Sequence, residues 1–84
     1  MNPTPAEPLA AVEPRERILQ AALALFAAKG FAATSIRDIT QAAGVTNPMV
    51  YYYFGSKSDL FASLLIGAVT EMAGQLAATL QADR

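Results

Sequence analysis

The segment Thr34–Leu60, TSIRDITQAAGVTNPMVYYYFGSKSDL, constrains the fold more than any other part of the chain. It reads as two short helices joined by a tight turn at Gly44, with another helix opening after Gly55-Ser56. The helix after Gly44 starts at Asn47-Pro48 and carries Tyr51, Tyr52 and Tyr53 in succession. Adjacent positions span most of a helix circumference, so these rings cannot all be buried. Such a helix suits lying on another molecule better than filling its own core. This is the layout of a helix-turn-helix, whose second helix enters the DNA major groove.

The helix signals agree with that layout. Ser35 and Asp38 fit a capping box, in which hydroxyl and carboxylate each satisfy a free backbone N–H. Ile36, Ile39 and Ala43 then point inward, Gly44 ends the helix, and Val45 plugs the turn. Asn47 is expected to cap the next helix, with Pro48 at its first position. Val50 and Phe54 lie four apart and face the core. Ser56 and Asp59 form a second capping box, opening a helix that runs to about Leu80.

Upstream, Pro14 suits the first turn of a helix because its lacking N–H would be unpaired there. Ile18, Ala22, Leu25 and Phe26 define the buried face of that helix, and Leu19 and Leu23 widen it. Gly30 ends it, and Phe31 is expected to pack back on Phe26. Residues 1–12, with Pro3, Pro5 and Pro8, read as a disordered tail. The fold class is therefore all-α: a three-helix bundle containing a helix-turn-helix, plus the start of a long fourth connecting helix. The organisation is a tail over 1–12, a helix-turn-helix domain over 13–60 and a connecting helix over 61–84. The apolar residues of the last helix, from Leu64 to Leu80, have nothing in the chain to cover their second half. That implies a partner domain, a partner subunit, or both.

Composition narrows the chemistry. The 84 residues include no cysteine and no histidine, which removes thiolate metal sites, disulfides and the commonest general base. No Ser-His or Cys-His pair exists, no close carboxylate pair forms a pocket, and the glycines follow no phosphate-loop spacing. Neither an enzyme nor a cofactor is expected. No apolar run approaches the roughly 20 residues of a membrane span, and no secretory signal is legible, so the expected location is the cytoplasm. The net charge is −1, which is low for a DNA-binding protein. Between Arg15 and Lys57, however, five basic residues face two acidic ones, a local charge of +3.

The residue types of this region fit contact with DNA. Phenol hydroxyls donate to phosphate oxygens, and their rings lie along sugars or thymine methyls. Lys57, in the first turn of the fourth helix, favours a phosphate there. Arg37 can reach a phosphate or a guanine edge, and Asn47 and Met49 sit where a recognition helix meets bases. Bland roles stand beside these: Tyr53 as a core ring, Asn47 as a cap and Lys57 as a solvated charge.

The run Arg17–Leu60, about half the chain, resembles the N-terminal DNA-binding domain of the TetR family of transcriptional regulators. The resemblance rests on Ala21-Ala22, Leu25-Phe26, Gly30-Phe31, Thr34-Ser35-Ile36, Ile39, Ala43-Gly44-Val45-Thr46, Tyr51, Phe54, Lys57 and Leu60. It implies a homodimer, formed through a C-terminal domain, that binds a palindromic operator in double-stranded DNA and usually represses. It also implies release by a small-molecule effector in that domain. Phosphate contacts map to Thr34, Ser35, Tyr51, Tyr53 and Lys57. Base contacts map to Arg37, Asn47, Pro48, Met49 and Tyr52. Thr40 departs from the family's usual alanine, and its hydroxyl is tolerable if it bonds a carbonyl one turn back. Family members are also much longer, so the chain looks like a DNA-binding domain with a stub of the connecting helix. The alternative reading is a truncated helical interaction module that pairs through the apolar face of 64–80.

Overall fold

A computed structural model describes residues 12–82. Among them are four helices and no strand: α1 (Pro14–Lys29), α2 (Ile36–Ala43), α3 (Asn47–Phe54) and α4 (Lys57–Ala82). The tail expected over 1–12 lies outside the described residues except for Val12.

Helices α2 and α3 have eight residues each, short of the about 12–15 residues at which a lone helix becomes even marginal in water. Packing must hold them. Each helix sends one aliphatic side chain to the centre, and Ile18, Ile39, Val50 and Leu60 are all fully buried. Such burial is worth roughly 1.5–3 kcal/mol per side chain before entropy is counted. Ala22 and Ala43 let α1 and α2 approach closely, and Phe26 and Phe54 close the ends of the cluster. Phe31, just past Gly30, packs on Phe26 as expected, with ring centroids 5.5 Å apart, and Phe61 of α4 completes an aromatic triangle.

The turn between α2 and α3 is the tight element of the fold. Gly44 adopts the left-handed conformation (φ 71°, ψ 38°), which residues with a Cβ rarely take. The N–H groups of Gly44 and Val45 both donate to the Thr40 carbonyl, at 2.9 and 3.1 Å. The Thr40 hydroxyl donates to the Arg37 carbonyl at 2.9 Å, so the unusual threonine satisfies itself one turn back.

Four local expectations need correction. Thr46, not Asn47, caps α3: its backbone is extended and its carbonyl accepts from the N–H groups of Met49 and Val50. Two bonds to Thr46 outweigh the reluctance of a residue before proline to be helical. The Ser56–Asp59 box is half made. The Asp59 N–H donates to the Ser56 hydroxyl at 3.0 Å, whereas the Asp59 carboxylate lies beside Gly55. Leu23 is exposed, because α4 leaves α1 before covering that face. Finally, α4 carries a window with a mean hydropathy of 1.5, long and apolar enough to cross a membrane by length and composition alone.

At 26 residues α4 is about 39 Å long at the standard rise per residue, against about 24 Å for the 16 residues of α1. Only its first turns pack on the bundle, through Leu60, Phe61 and Leu64. Beyond them Leu65, Val69, Met72, Leu76 and Leu80 stay exposed, as expected from the sequence.

Candidate nucleic-acid interface

Helix α3 buries Val50 and Phe54 and turns the rest of its surface outward. Tyr51 is 49% exposed, Tyr52 82% and Tyr53 36%. None of the rings is a core residue. Tyr53 is steadied from one side by the Tyr52 ring, edge-on at 5.0 Å between centroids. Asn47 and Pro48 are exposed and Met49 is half-buried. Because Thr46 provides the backbone cap, no side chain caps this helix and the Asn47 amide takes no part in capping. The outward face of α3 thus combines phenols, an amide and a thioether over an apolar inner seam.

Helix α2 opens on its own cap. The Ser35 hydroxyl accepts from the Asp38 N–H, and the Asp38 carboxylate accepts from the Ser35 N–H, each at 3.0 Å. The expected capping box is complete. Lys29, at the end of α1, donates to the same carboxylate at 3.1 Å. The Ser35 N–H and then the Lys29 ammonium hold the Asp38 carboxyl below its ordinary value of 3.8. Arg37 is exposed, and its guanidinium enters none of the hydrogen bonds or ion pairs found among the described residues; only its backbone carbonyl is engaged, by the Thr40 hydroxyl.

Two of the expected phosphate contacts have internal duties. Thr34 is 1% exposed, and its hydroxyl donates to the Gly30 carbonyl at 2.8 Å. That bond ties the α1–α2 loop to the end of α1 and commits the Thr34 hydroxyl within the fold. The half-buried Lys57 donates to the carbonyls of Phe31 and Thr34, at 2.8 and 2.9 Å, and lies 4.2 Å from the Phe31 ring centroid. An ammonium has three N–H donors. Two hold the α1–α2 loop to the start of α4, and one remains for an external acceptor.

Arg17 was not singled out by the sequence, yet it joins α1 to the turn. Its Nε–H donates to the Ala43 carbonyl at 3.0 Å, and its two terminal nitrogens donate to Gly44 at 3.2 Å and Val12 at 3.1 Å. One signal pointed to it: a cation near a helix N-terminus sits against the dipole and needs a partner elsewhere. Arg15, beside it, stacks its guanidinium 5.2 Å from the Phe54 ring centroid. The +3 region thus contains one paired cation (Lys29), two that cap neutral carbonyls (Arg17, Lys57) and two exposed ones (Arg15, Arg37). Among the described residues no group of three or more Asp and Glu side chains is arranged to hold a metal.

Comparison with known proteins places this geometry. Residues 18–64 match the family described as bacterial regulatory proteins, tetR family. The chain is 46% identical over 54 residues to the HTH-type transcriptional regulator AcrR of Shigella flexneri, covering 64% of this chain and 25% of that protein. It is 34% identical over 76 residues to the HTH-type transcriptional repressor KstR2 of Rhodococcus jostii, covering 89% of this chain and 37% of that one. With the HTH-type transcriptional repressor BdcR of Escherichia coli it shares 41% identity over 69 residues, 82% of this chain and 35% of the relative. The chain thus spans between a quarter and somewhat over a third of the length of these relatives. The matched stretch runs from the first core residue of α1, through the turn and the tyrosine face, to the last core contacts of α4. The chain belongs to the tetR family of bacterial regulatory proteins and carries the helix-turn-helix with which a regulator of transcription binds DNA.

Proposed function

We propose that the protein represses transcription in the cytoplasm as one half of a homodimer, each half setting α3 into a major groove of a palindromic operator. The outward tyrosine face of α3 carries this reading. Its rings and hydroxyls are exposed on a helix held rigidly from behind by Val50 and Phe54. Ser35, Tyr51, Tyr53 and the third N–H of Lys57 take phosphates, and Arg37, Asn47, Pro48, Met49 and Tyr52 read bases. Phosphate contacts fix register and base contacts carry sequence. Dimerisation and effector binding belong to a domain that follows α4 in the family. Two relatives carry the word repressor in their names, which supports the sign of regulation.

The interaction-module reading is less well supported, because it gives the tyrosine face and Arg37 no task. Selection from a random DNA library, followed by binding to the selected duplex over a salt series, tests the proposal. Steep salt dependence with a sequence preference supports it. Tight self-association with no DNA affinity supports the module instead. Fusing a dimerisation element after Arg84 then tests the two-half-site model. Affinity rises sharply if both copies reach adjacent major grooves about one helical turn apart. Equal affinity with and without the fusion counts against it.

A further inference from the structure

We propose that Arg17, on α1 and outside the helix-turn-helix itself, is a positioning residue for DNA recognition. Its guanidinium sets the α2–α3 turn, and with it the angle at which α3 meets DNA, without touching DNA. The inference rests on the DNA-binding reading above and goes beyond it by adding a determinant of specificity that faces away from the ligand.

The argument starts from the peptide groups of the turn. A helix of eight residues ends with carbonyls that have no partner within the helix. In α2 the Thr40 carbonyl is satisfied from within by the N–H groups of Gly44 and Val45. The Ala43 and Gly44 carbonyls are satisfied by Arg17, from 26 and 27 residues away. The last turn of α2 has no basic residue of its own, so Arg17 also supplies the cation that its negative end favours. The two peptide groups that lead out of α2 are thus held through both their N–H and their C=O sides. Thr46, the α3 cap, follows two residues later and has no side-chain bond to steady it. The exposed Asn47 comes next. Any rotation of the Gly44 peptide therefore swings the start of α3. Base reading tolerates little of that, since a binding constellation must be held to within about 0.5 Å. Only arginine spans two carbonyls with a rigid planar fork; lysine presents a single point charge.

The test uses the 84-residue chain, the duplex it selects from a random library, and an unrelated duplex of mixed sequence, over a salt series. Arg17→Met lowers the affinity ratio between selected and unrelated duplex about ten- to a hundredfold, as the loss of charged hydrogen bonds dictates. The salt slope falls by much less than the about 0.9 unit that a lost phosphate contact removes. Arg17→Lys restores part of the ratio. Ile18→Val, which trims a buried neighbour on the same helix, lowers the melting temperature and leaves the ratio alone. In amide spectra, Arg17→Met moves the Gly44 and Val45 signals more than those of α4. Should Arg17→Met fail to fold, the ratio measured for Arg17→Lys decides: an intermediate value supports the proposal and a wild-type value overturns it. The proposal also fails if Arg17→Met weakens both duplexes equally with a full unit lost from the slope, or if Ile18→Val loses the same ratio. A selected preference that survives in Arg17→Met overturns the inference alone. A wild-type chain with no preference for any duplex overturns the DNA-binding reading with it.

Discussion

Lys57 is the residue whose role changed most between sequence and structure. Read alone it is a phosphate contact; in the fold it is also the bolt between α4 and the α1–α2 loop. Lys57→Ala accordingly has two effects. It lowers stability by about 2 kcal/mol, the scale of lost hydrogen bonds to a charged group. It also weakens binding to all DNA sequences alike and reduces the salt slope by about one unit per subunit. Arg37→Ala, with no internal bond to lose, leaves the melting temperature unchanged. It relaxes preference at one base pair by roughly 1–3 kcal/mol. Competition of both variants against operator mutants separates the two; a sequence-selective Lys57→Ala with an indiscriminate Arg37→Ala would invert the assignment. Asp38 adds an acid-sensitive contribution. The Ser35 N–H, and after it Lys29, lower its folded pKa below the ordinary 3.8, so its stabilisation is present above that value. It is lost as pH falls through the folded value. Asp38→Asn therefore makes the chain less stable at neutral pH and flattens the decline of its urea midpoint below about pH 4.

At the scale of elements, the two turns that flank α3 differ in how much they demand of their glycines. A Cβ added at Gly44 meets no atom within 4 Å, so only the backbone conformation resists it. Gly44→Ala costs about 1 kcal/mol, and Gly44→Asn less, because asparagine tolerates the left-handed region. At Gly55 the backbone (φ 86°, ψ −43°) falls outside that region, and an added Cβ would sit 2.9 Å from the Asp59 carboxylate oxygen. Gly55→Asn is therefore more damaging than Gly44→Asn, an order that chemical denaturation of the two variants checks. Both glycines were legible as helix stops. Their unequal cost was not, because it depends on ψ and on what α4 places beside the turn.

For the molecule as a whole, the decisive fact is a helix that outruns its bundle. The exposed stripe from Leu65 to Leu80 receives no tertiary support within the described residues, while the start of α4 is buried against α1 and α3. Opening free energies follow burial. Hydrogen exchange of a dilute monomer shows strong protection at Leu60 and Phe61 and little beyond about Val69. Protection through Leu80 would show that the helix needs no cover.

The sequence by itself determined the elements and their order. Pro14, Ser35 with Asp38, Gly44 and Gly55 act through bonds and torsions within a few residues, so their effect is readable locally. It also determined most of the core, since spacing along a helix fixes which side chains share a face; Leu23, read onto that face, is exposed. The tyrosine face followed from the same geometry. Only the tertiary structure decided which polar groups are free for a partner. Thr34 turned inward to Gly30, Lys57 reached back to Phe31 and Thr34, and Arg17 crossed to Ala43 and Gly44. Each of those bonds ends on a backbone carbonyl, a group that every residue carries and no sequence pattern marks. That is why the cations could be counted from the sequence but assigned only in the fold.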